Sequence, residues 1–320
     1  MTVWPTARVT VVVETENERD AQEIRLRDAF GALAKQTYPR DLTEFLVVDS
    51  GEIPGLAQTV AEHLPYARIL DGTGLTEYQM KNLGTREAAG DIVAFCDGDC
   101  APESGWIEEV ARSLGQAPPH VVGVQGHTAL RPGLFSRQIS VLLYGLRLDR
   151  SGRFSRRIVS DNCAFRRDFI LRERFEPDRL PSTPETVLFT QASSRGLAIV
   201  VNDRMRSTHD YPRTSGLRGL FAMLGFFLRR AYSNGYCMTR VRFMVSGLRA
   251  GWVRGLGPVG PPVLAAGKIF ADLGQIARSN RQFDLTWLEW IPFAPLYVAY
   301  YVGHLVGGYA ALLGFSAPRF

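Results

Sequence analysis

Asp97-Gly98-Asp99 closes the apolar run Ile92-Val93-Ala94-Phe95-Cys96. Two carboxylates one residue apart, on a turn at a strand end, can reach one divalent cation together with phosphate oxygens that the cation holds. A cation placed there offsets the charge that builds up on a diphosphate as a bond to it breaks. Asp and Gly are also ordinary turn residues, so the triplet by itself is a weak signal. An EF-hand is excluded, because Ala101-Pro102 stand where a ligand and the obligatory Gly belong. The chemistry therefore depends on which elements present these carboxylates.

The pattern around the triplet predicts a doubly wound sheet. Val9–Val13 is a β-branched run suited to a strand covered on both faces. Arg19–Gln36 follows with helical spacing of Ile24, Leu26, Phe30 and Leu33. Phe45–Val48, Ala67–Leu70 and Ile92–Cys96 read as strands, and Ile53–His63 and Glu77–Ala89 as helices, with Gly90 a C-cap on the last. This βαβαβαβ alternation implies an α/β fold with a mainly parallel sheet flanked by helices. Ligands of such sheets sit beyond the carboxyl ends of the strands. The residues to inspect are therefore Thr15 to Asn17, Asp49, Asp97 and Asp99. Further along, Gly105–Leu114 and Ser136–Leu148 read as helices, Val121–Gln125 and Leu197–Val201 as strands, and Arg150–Arg157 as a basic loop. The chain becomes helical and Arg-rich from Gly216. We expect one domain over residues 1–215 and a helical C-terminal region over 216–320.

Composition narrows the partners. The chain has 320 residues, 46% hydrophobic and 22% charged, as a folded protein requires. Its net charge of +5 is uneven: residues 121–260 hold 23 Arg against 9 acidic residues. Lys is confined to Lys35, Lys81 and Lys268. A basic surface meets phosphate-rich ligands or an anionic membrane. No nucleic acid-binding signature accompanies the charge, so no nucleic acid partner is expected. Cys96, Cys100, Cys163 and Cys237 form no CxxC pair or zinc spacing and read as reduced thiols. No long apolar stretch precedes the first acidic residues, and no signal peptide is expected.

Taken in order, several segments resemble the family 2 glycosyltransferases of the GT-A fold. They are Val11–Glu18, Leu33-Ala34-Lys35-Gln36-Thr37-Tyr38-Pro39 and Glu44–Gly51. Lys81-Asn82-Leu83-Gly84 and Ala88–Asp99 follow, and then Asn162-Cys163-Ala164-Phe165-Arg166-Arg167. The resemblance covers about residues 8–212. It implies an inverting, single-sugar transfer from a nucleotide-sugar, a UDP-sugar by family frequency, to an acceptor hydroxyl on a glycan or polyprenyl-linked lipid. It also implies a divalent cofactor, Mn²⁺ or Mg²⁺. Thr15, Asn17 and Asp49 would line the nucleoside pocket, with Lys81 and Asn82 close to the nucleotide. Asp97 would face the ribose or sugar, Asp99 would hold the metal, and His209 would approach the metal or diphosphate. The family's acidic pair opening a helix is Pro184-Glu185 here, which leaves Glu185 as the base in register. The QxxRW motif of processive synthases is missing, which argues for single-sugar transfer, while Val187 and Gln191 replace further family positions. These departures keep open a non-catalytic nucleotide-sugar binder. A nucleotidyltransferase would need a Gly-rich basic loop after the first strand, where Glu14, Glu16 and Glu18 stand.

The C-terminus suggests a membrane. Trp290 to Phe315 carries no charged residue and is long enough to span a bilayer, though Pro292, Pro295 and His304 interrupt it. Pro262–Arg278 is apolar with Lys268 and Asp272, as an interfacial helix would be. The expected location is the cytoplasmic face of the cell membrane.

Overall fold

Alternation of side chains across the central strands organises the molecule. In the computed structural model, residues 6–16, 23–133, 135–145, 148–149, 151–177, 184–210, 216–244 and 256–315 are described. Asn17 and the start of the first predicted helix lie outside them. Strands β1 (Val9–Glu14), β2 (Thr43–Asp49) and β4 (Ile92–Asp97) carry continuous apolar runs, because both of their faces are covered. Val9, Val11, Val13, Phe45, Val47, Ile92, Ala94 and Cys96 pack against α1 (Glu23–Ala34), α2 (Leu56–His63) and α4 (Trp106–Gly115). Val12, Leu46, Val48, Val93 and Phe95 point the other way, toward α3 (Glu77–Glu87), α6 (Arg167–Glu173) and Leu188 and Ala192 of α7 (Pro184–Ser194).

The remaining strands are β3 (Arg68–Asp71), β5 (Cys100–Pro102), β6 (Val121–Leu130), β7 (Asn162–Arg166) and β8 (Ala198–His209). The order across the sheet is β3-β2-β1-β4-β7-β6-β8-β5. β3, β2, β1 and β4 pair in parallel. β7 is antiparallel to β4 and β6, β6 is parallel to β8, and β5 is antiparallel to β8. The expected mainly parallel α/β sheet is thus present. β5 and β7 were not evident as strands. β5 is three residues long and includes Pro102, which only an edge position tolerates.

Gly90 has a different role from the one predicted. Its φ is not positive, and α3 ends at Ala88 in extended conformation. A Cβ at Gly90 would lie 2.7 Å from the Thr10 nitrogen and 2.8 Å from the Arg8 oxygen. The glycine serves close approach of the chain to β1, not a left-handed cap.

The chain forms two units instead of dividing once near residue 215. The first comprises Met1–Arg131, Leu146–Glu176 and Leu188–Tyr211; the second comprises Pro132–Gly145, Pro177–Val187 and Pro212–Phe320. The second unit contains α5 (Ser136–Tyr144), the first turn of α7, α8 (Gly216–Met244), α9 (Gly260–Ser279) and α10 (Ala294–Leu312). Gly235, Gly303 and Gly307 let α8 and α10 come together where a larger residue would meet backbone or Ala231. Lys268 and Asp272 are buried on α9, with Nζ 2.6 Å from Oδ2, and the Tyr301 hydroxyl donates to the same oxygen at 2.6 Å. These charges face inward, so they do not mark the polar side of an interfacial helix. Within the uncharged C-terminal run only Ala294–Leu312 is α-helical, and a 3-10 turn at Trp287–Trp290 leads into it. No helix among the described residues is long and apolar enough to cross a membrane.

Candidate functional site

The carboxyl ends of β1, β2 and β4 lie side by side, with Glu14 in register with Val48 on one side and Asp97 on the other. Strand parity sends Glu14 and Asp97 to the face covered by α3. A capping box, with the Thr76 N–H donating to Gln79 Oε1 at 3.0 Å, fixes the start of that helix. One turn in, Lys81 reaches the strand ends. Its Nζ lies 2.7 Å from Asp97 Oδ1, 2.7 Å from Glu77 Oε1 and 3.5 Å from Glu14 Oε1.

Lys81 has no exposed surface. Burial alone would lower its pKa, but Asp97, Glu77 and Glu14 together raise it well above the ordinary value. Glu14 is raised by burial, against the pull of Lys81. The ligand atoms of Glu14, Glu77 and Asp97 lie close enough to hold a metal ion. The Lys81 ammonium occupies that role, so this cluster is a buried ion-pair network. Lys81, expected close to the nucleotide, is buried and anchors Asp97. Asn82 is likewise engaged, donating to the Phe175 carbonyl at 2.8 Å and accepting from its N–H at 3.0 Å.

Thr15 ties the ends of β1 and β2 together. Its hydroxyl donates to the Val48 carbonyl at 3.0 Å and accepts from the Ser50 N–H at 2.9 Å. Asp49 Oδ1 accepts from the Gly51 N–H at 2.8 Å, while Gly51 adopts φ +76°, a left-handed turn that suits glycine. Thr15 and Asp49 thus shape the rim beyond β1 and β2.

Asp99 belongs to a second cluster. The turn after β4 leads into β5, which pairs with the end of β8 so that Cys100 faces His209. The Asp210 N–H donates to the Asp99 carbonyl at 2.8 Å. His209 Nε2 lies 3.5 Å from Asp99 Oδ1. One ligand atom each from Asp99, Cys100 and His209 lie within 4.8 Å of one another, a spacing that one cation can bridge. Burial, then the neighbouring Asp97, pushes Asp99 up to about 8. Burial lowers His209, which favours the neutral imidazole that a metal requires. Burial and the adjacent acids raise Cys100, so its thiol stays protonated and is a poor ligand. An oxygen–nitrogen donor set fits Mn²⁺ or Mg²⁺ better than a thiolate metal. The two predicted metal residues, Asp99 and His209, are therefore brought together.

The Asn162–Arg167 motif is largely structural. Asn162 Oδ1 accepts from Trp106 Nε1 at 2.7 Å, and its Nδ2 donates to the Met205 carbonyl at 3.2 Å. Arg166 donates to the carbonyls of Leu114, Ala117 and Val121, closing the end of α4. Arg167 donates to the Ala88 carbonyl after α3.

Glu185 opens α7 directly after Pro184, as the predicted helix start requires. It is buried and falls in the second unit, whereas the Asp99 cluster falls in the first. Val187, two residues on, packs with Tyr236, Cys237, Ala310 and Ala311. Sequence reasoning did not single out Glu77 or Asp161. Glu77 stands four residues before Lys81, a helical pairing distance. Asp161 directly precedes the Asn162 motif.

Comparison with known proteins agrees with this geometry. A family model described as "Glycosyl transferase family 2" matches residues 10–175. Glycosyltransferase AglE of Haloferax volcanii is 28% identical over 121 residues, which are 36% of this chain and 38% of that protein's length. Among solved structures, mannosyltransferase PcManGT from Pyrobaculum calidifontis, in complex with GDP-Man and Mn²⁺, superposes with a TM-score of 0.60. It is 18% identical, and the match covers 96% of this chain and 87% of that one. S. aureus TarS 1-349, in complex with UDP-GlcNAc, gives a TM-score of 0.51 at 14% identity, covering 97% and 93%. At these identities the structural likeness is one of fold, and that fold is GT-A. The family match spans more than half of the chain, including Asp97, Asp99 and the strands that carry them, and the chain belongs to glycosyl transferase family 2.

Proposed function

We propose that this glycosyltransferase moves a single sugar, with inversion, from a nucleotide-sugar to an acceptor hydroxyl and depends on a divalent cation. The observation that carries the reading is the Asp99–His209 pair at the carboxyl ends of the parallel strands. Asp99 and His209 would hold Mn²⁺ or Mg²⁺, which when bound stabilises the negative charge of the leaving nucleoside diphosphate. Asp97, anchored by Lys81, would orient the ribose or sugar, and Thr15 and Asp49 would border the nucleoside. Glu185 would take the proton from the acceptor hydroxyl. A donor of this class is supported by the GDP-Man and UDP-GlcNAc complexes of the structural relatives; a UDP-sugar is our choice by family frequency. The acceptor would be a glycan or a polyprenyl-linked lipid.

Release of nucleoside diphosphate from a panel of nucleotide-sugars tests this, with Mn²⁺ and a membrane lipid extract as acceptor source. One donor is expected to turn over, and Glu185→Gln to slow it by about 10²–10⁴-fold. Full activity in Glu185→Gln removes that residue as the base. Metal-dependent binding of a donor without turnover supports a non-catalytic binder instead.

Cation binding should depend on pH. Burial holds Asp99 at about 8 and Asp161 at about 7 in the metal-free protein, above the ordinary value of 3.8. Protons must leave before a cation enters, so Mn²⁺ affinity should climb from pH 6 to 8. The same raised values mean that stability of the metal-free fold is lost as pH rises from about 4 through 8. Melting in EDTA and Mn²⁺ titration at pH 6 and 8 should therefore move in opposite directions.

The proposed location is the cytoplasmic membrane face. Supporting it, Val298, Val302 and Val306 are exposed at four-residue spacing on α10, and Trp287, Leu288 and Ile291 are exposed just before it. Flotation with vesicles containing phosphatidylglycerol is expected to carry the wild type and to lose a Val298→Asp, Val302→Asp, Val306→Asp variant. Equal flotation of both would sink this assignment.

A further inference from the structure

Asp161 is a buried acid, 4% exposed, and among the described residues neither of its carboxylate oxygens accepts a hydrogen bond. An ionised carboxylate held this way costs several kcal/mol unless something outside the protein compensates it. Strand pairing and the turn before β7 set its place. β7 pairs with β4 so that Asn162 lies opposite Cys96, and the next step of that register puts Asp161 at the level of Asp97. Gln125 pins the turn before β7 from both ends, accepting from the Val159 N–H at 2.7 Å and donating to the Asn162 carbonyl at 2.9 Å. The Ser160 hydroxyl donates to Glu77 Oε1 at 3.3 Å, which ties the same turn to α3.

The charges that act on Asp161 are His209 first, then Asp97, Asp99 and Lys81, and in return Asp161 is the first charge acting on His209. It therefore lies within electrostatic reach of the Asp99–His209 cluster. Those surroundings are rich in acid, and the missing partner is consequently a cation. Asp161 stands outside the set of ligand atoms that converge within 4.8 Å, which leaves it an indirect role, through water, toward such a cation. Mg²⁺ and Mn²⁺ suit this arrangement, since Mg²⁺ in particular keeps several waters when protein-bound.

We propose that Asp161 is an outer-sphere carboxylate of the cation centre, accepting hydrogen bonds from the hydration water of an ion held by Asp99 and His209. The inference rests on the cation reading above and extends it to a residue outside the DxD triplet. Carboxylates in such positions commonly set affinity by ten-fold or more.

The test is titration with Mn²⁺ alone, with free Mn²⁺ followed by electron paramagnetic resonance, alongside melting in EDTA. Wild type, Asp161→Asn, Asp161→Ser and Asp99→Asn are compared. Both Asp161 variants should bind Mn²⁺ about ten-fold more weakly or worse, yet melt at or above the wild-type temperature in EDTA. Asp161 variants that bind like wild type, while Asp99→Asn does not, overturn this proposal and leave the cation reading standing. Asp161 variants that both melt below wild type in EDTA make Asp161 a structural acid and also overturn it. Wild type that binds no Mn²⁺, or binding that Asp99→Asn leaves unchanged, overturns both.

Discussion

Asp99→Ala is expected to lower nucleotide-sugar turnover by about a thousand-fold, on the order of 4 kcal/mol of transition-state stabilisation, without lowering the melting temperature in EDTA. The two halves of this expectation have one cause. Asp99 is a mostly buried carboxylate with its pKa raised to about 8 by burial and by Asp97. Its ionised form is unfavourable in the metal-free fold, so removing it relieves that fold above neutral pH. The same charge is what Asp99 offers to a cation beside His209, 3.5 Å away. Turnover and melting measured on the same preparation separate the roles. Activity within a few-fold of wild type would remove Asp99 from the chemistry. A large fall in melting temperature would make it a structural acid.

Lys81→Met should be the most destabilising single change near the site, by about 3–5 kcal/mol, because it strands buried acids around an empty position. Lys81 Nζ is the shared partner of Asp97, Glu77 and Glu14, and Lys81 and Glu14 are at 0% and 1% exposure. For a unit of this size that corresponds to a melting temperature lower by roughly 8–15 °C. The deficit should depend on pH in a definite direction. Glu14 is already raised by burial with Lys81 in place, and loss of the ammonium raises it further. A carboxyl raised in the folded state contributes stability that is lost as pH rises, so the variant should compare worse with wild type at pH 8 than at pH 5. Equal melting of variant and wild type at pH 8 would contradict the network. Activity should fall as well, because Asp97 loses the contact that fixes its orientation.

The chain by itself determined the elements whose signals are local. The runs Val9–Val13, Phe45–Val48 and Ile92–Cys96 read as covered strands because each is apolar on both parities. The turn at Asp97-Gly98-Asp99 followed from where the last run stops. With those strands parallel, the ligand end of the sheet was also legible, and Thr15, Asp49, Asp97 and Asp99 lie at that end. Other assignments needed the folded chain. The Lys81–Glu14 contact joins residues 67 apart, and nothing local distinguishes a lysine that meets a nucleotide from one buried among carboxylates. Gly90 looked like a helix cap, but the deciding contact is with the backbone of β1, distant in sequence. His209 reaches Asp99 only because the three-residue strand β5 pairs with the end of β8, and β5 is too short to carry a periodic signal. Asp161 comes within electrostatic reach of His209 and Asp99 only through the pairing of β4 with β7, strands far apart in sequence. Periodicity is written into neighbouring residues, so the long apolar strands β1, β2 and β4 were legible, whereas β5 and β7 were not. Burial and charge pairing arise between residues that only strand register brings together, and those decided that Asp97 is paired with Lys81 while Asp99 lies beside His209.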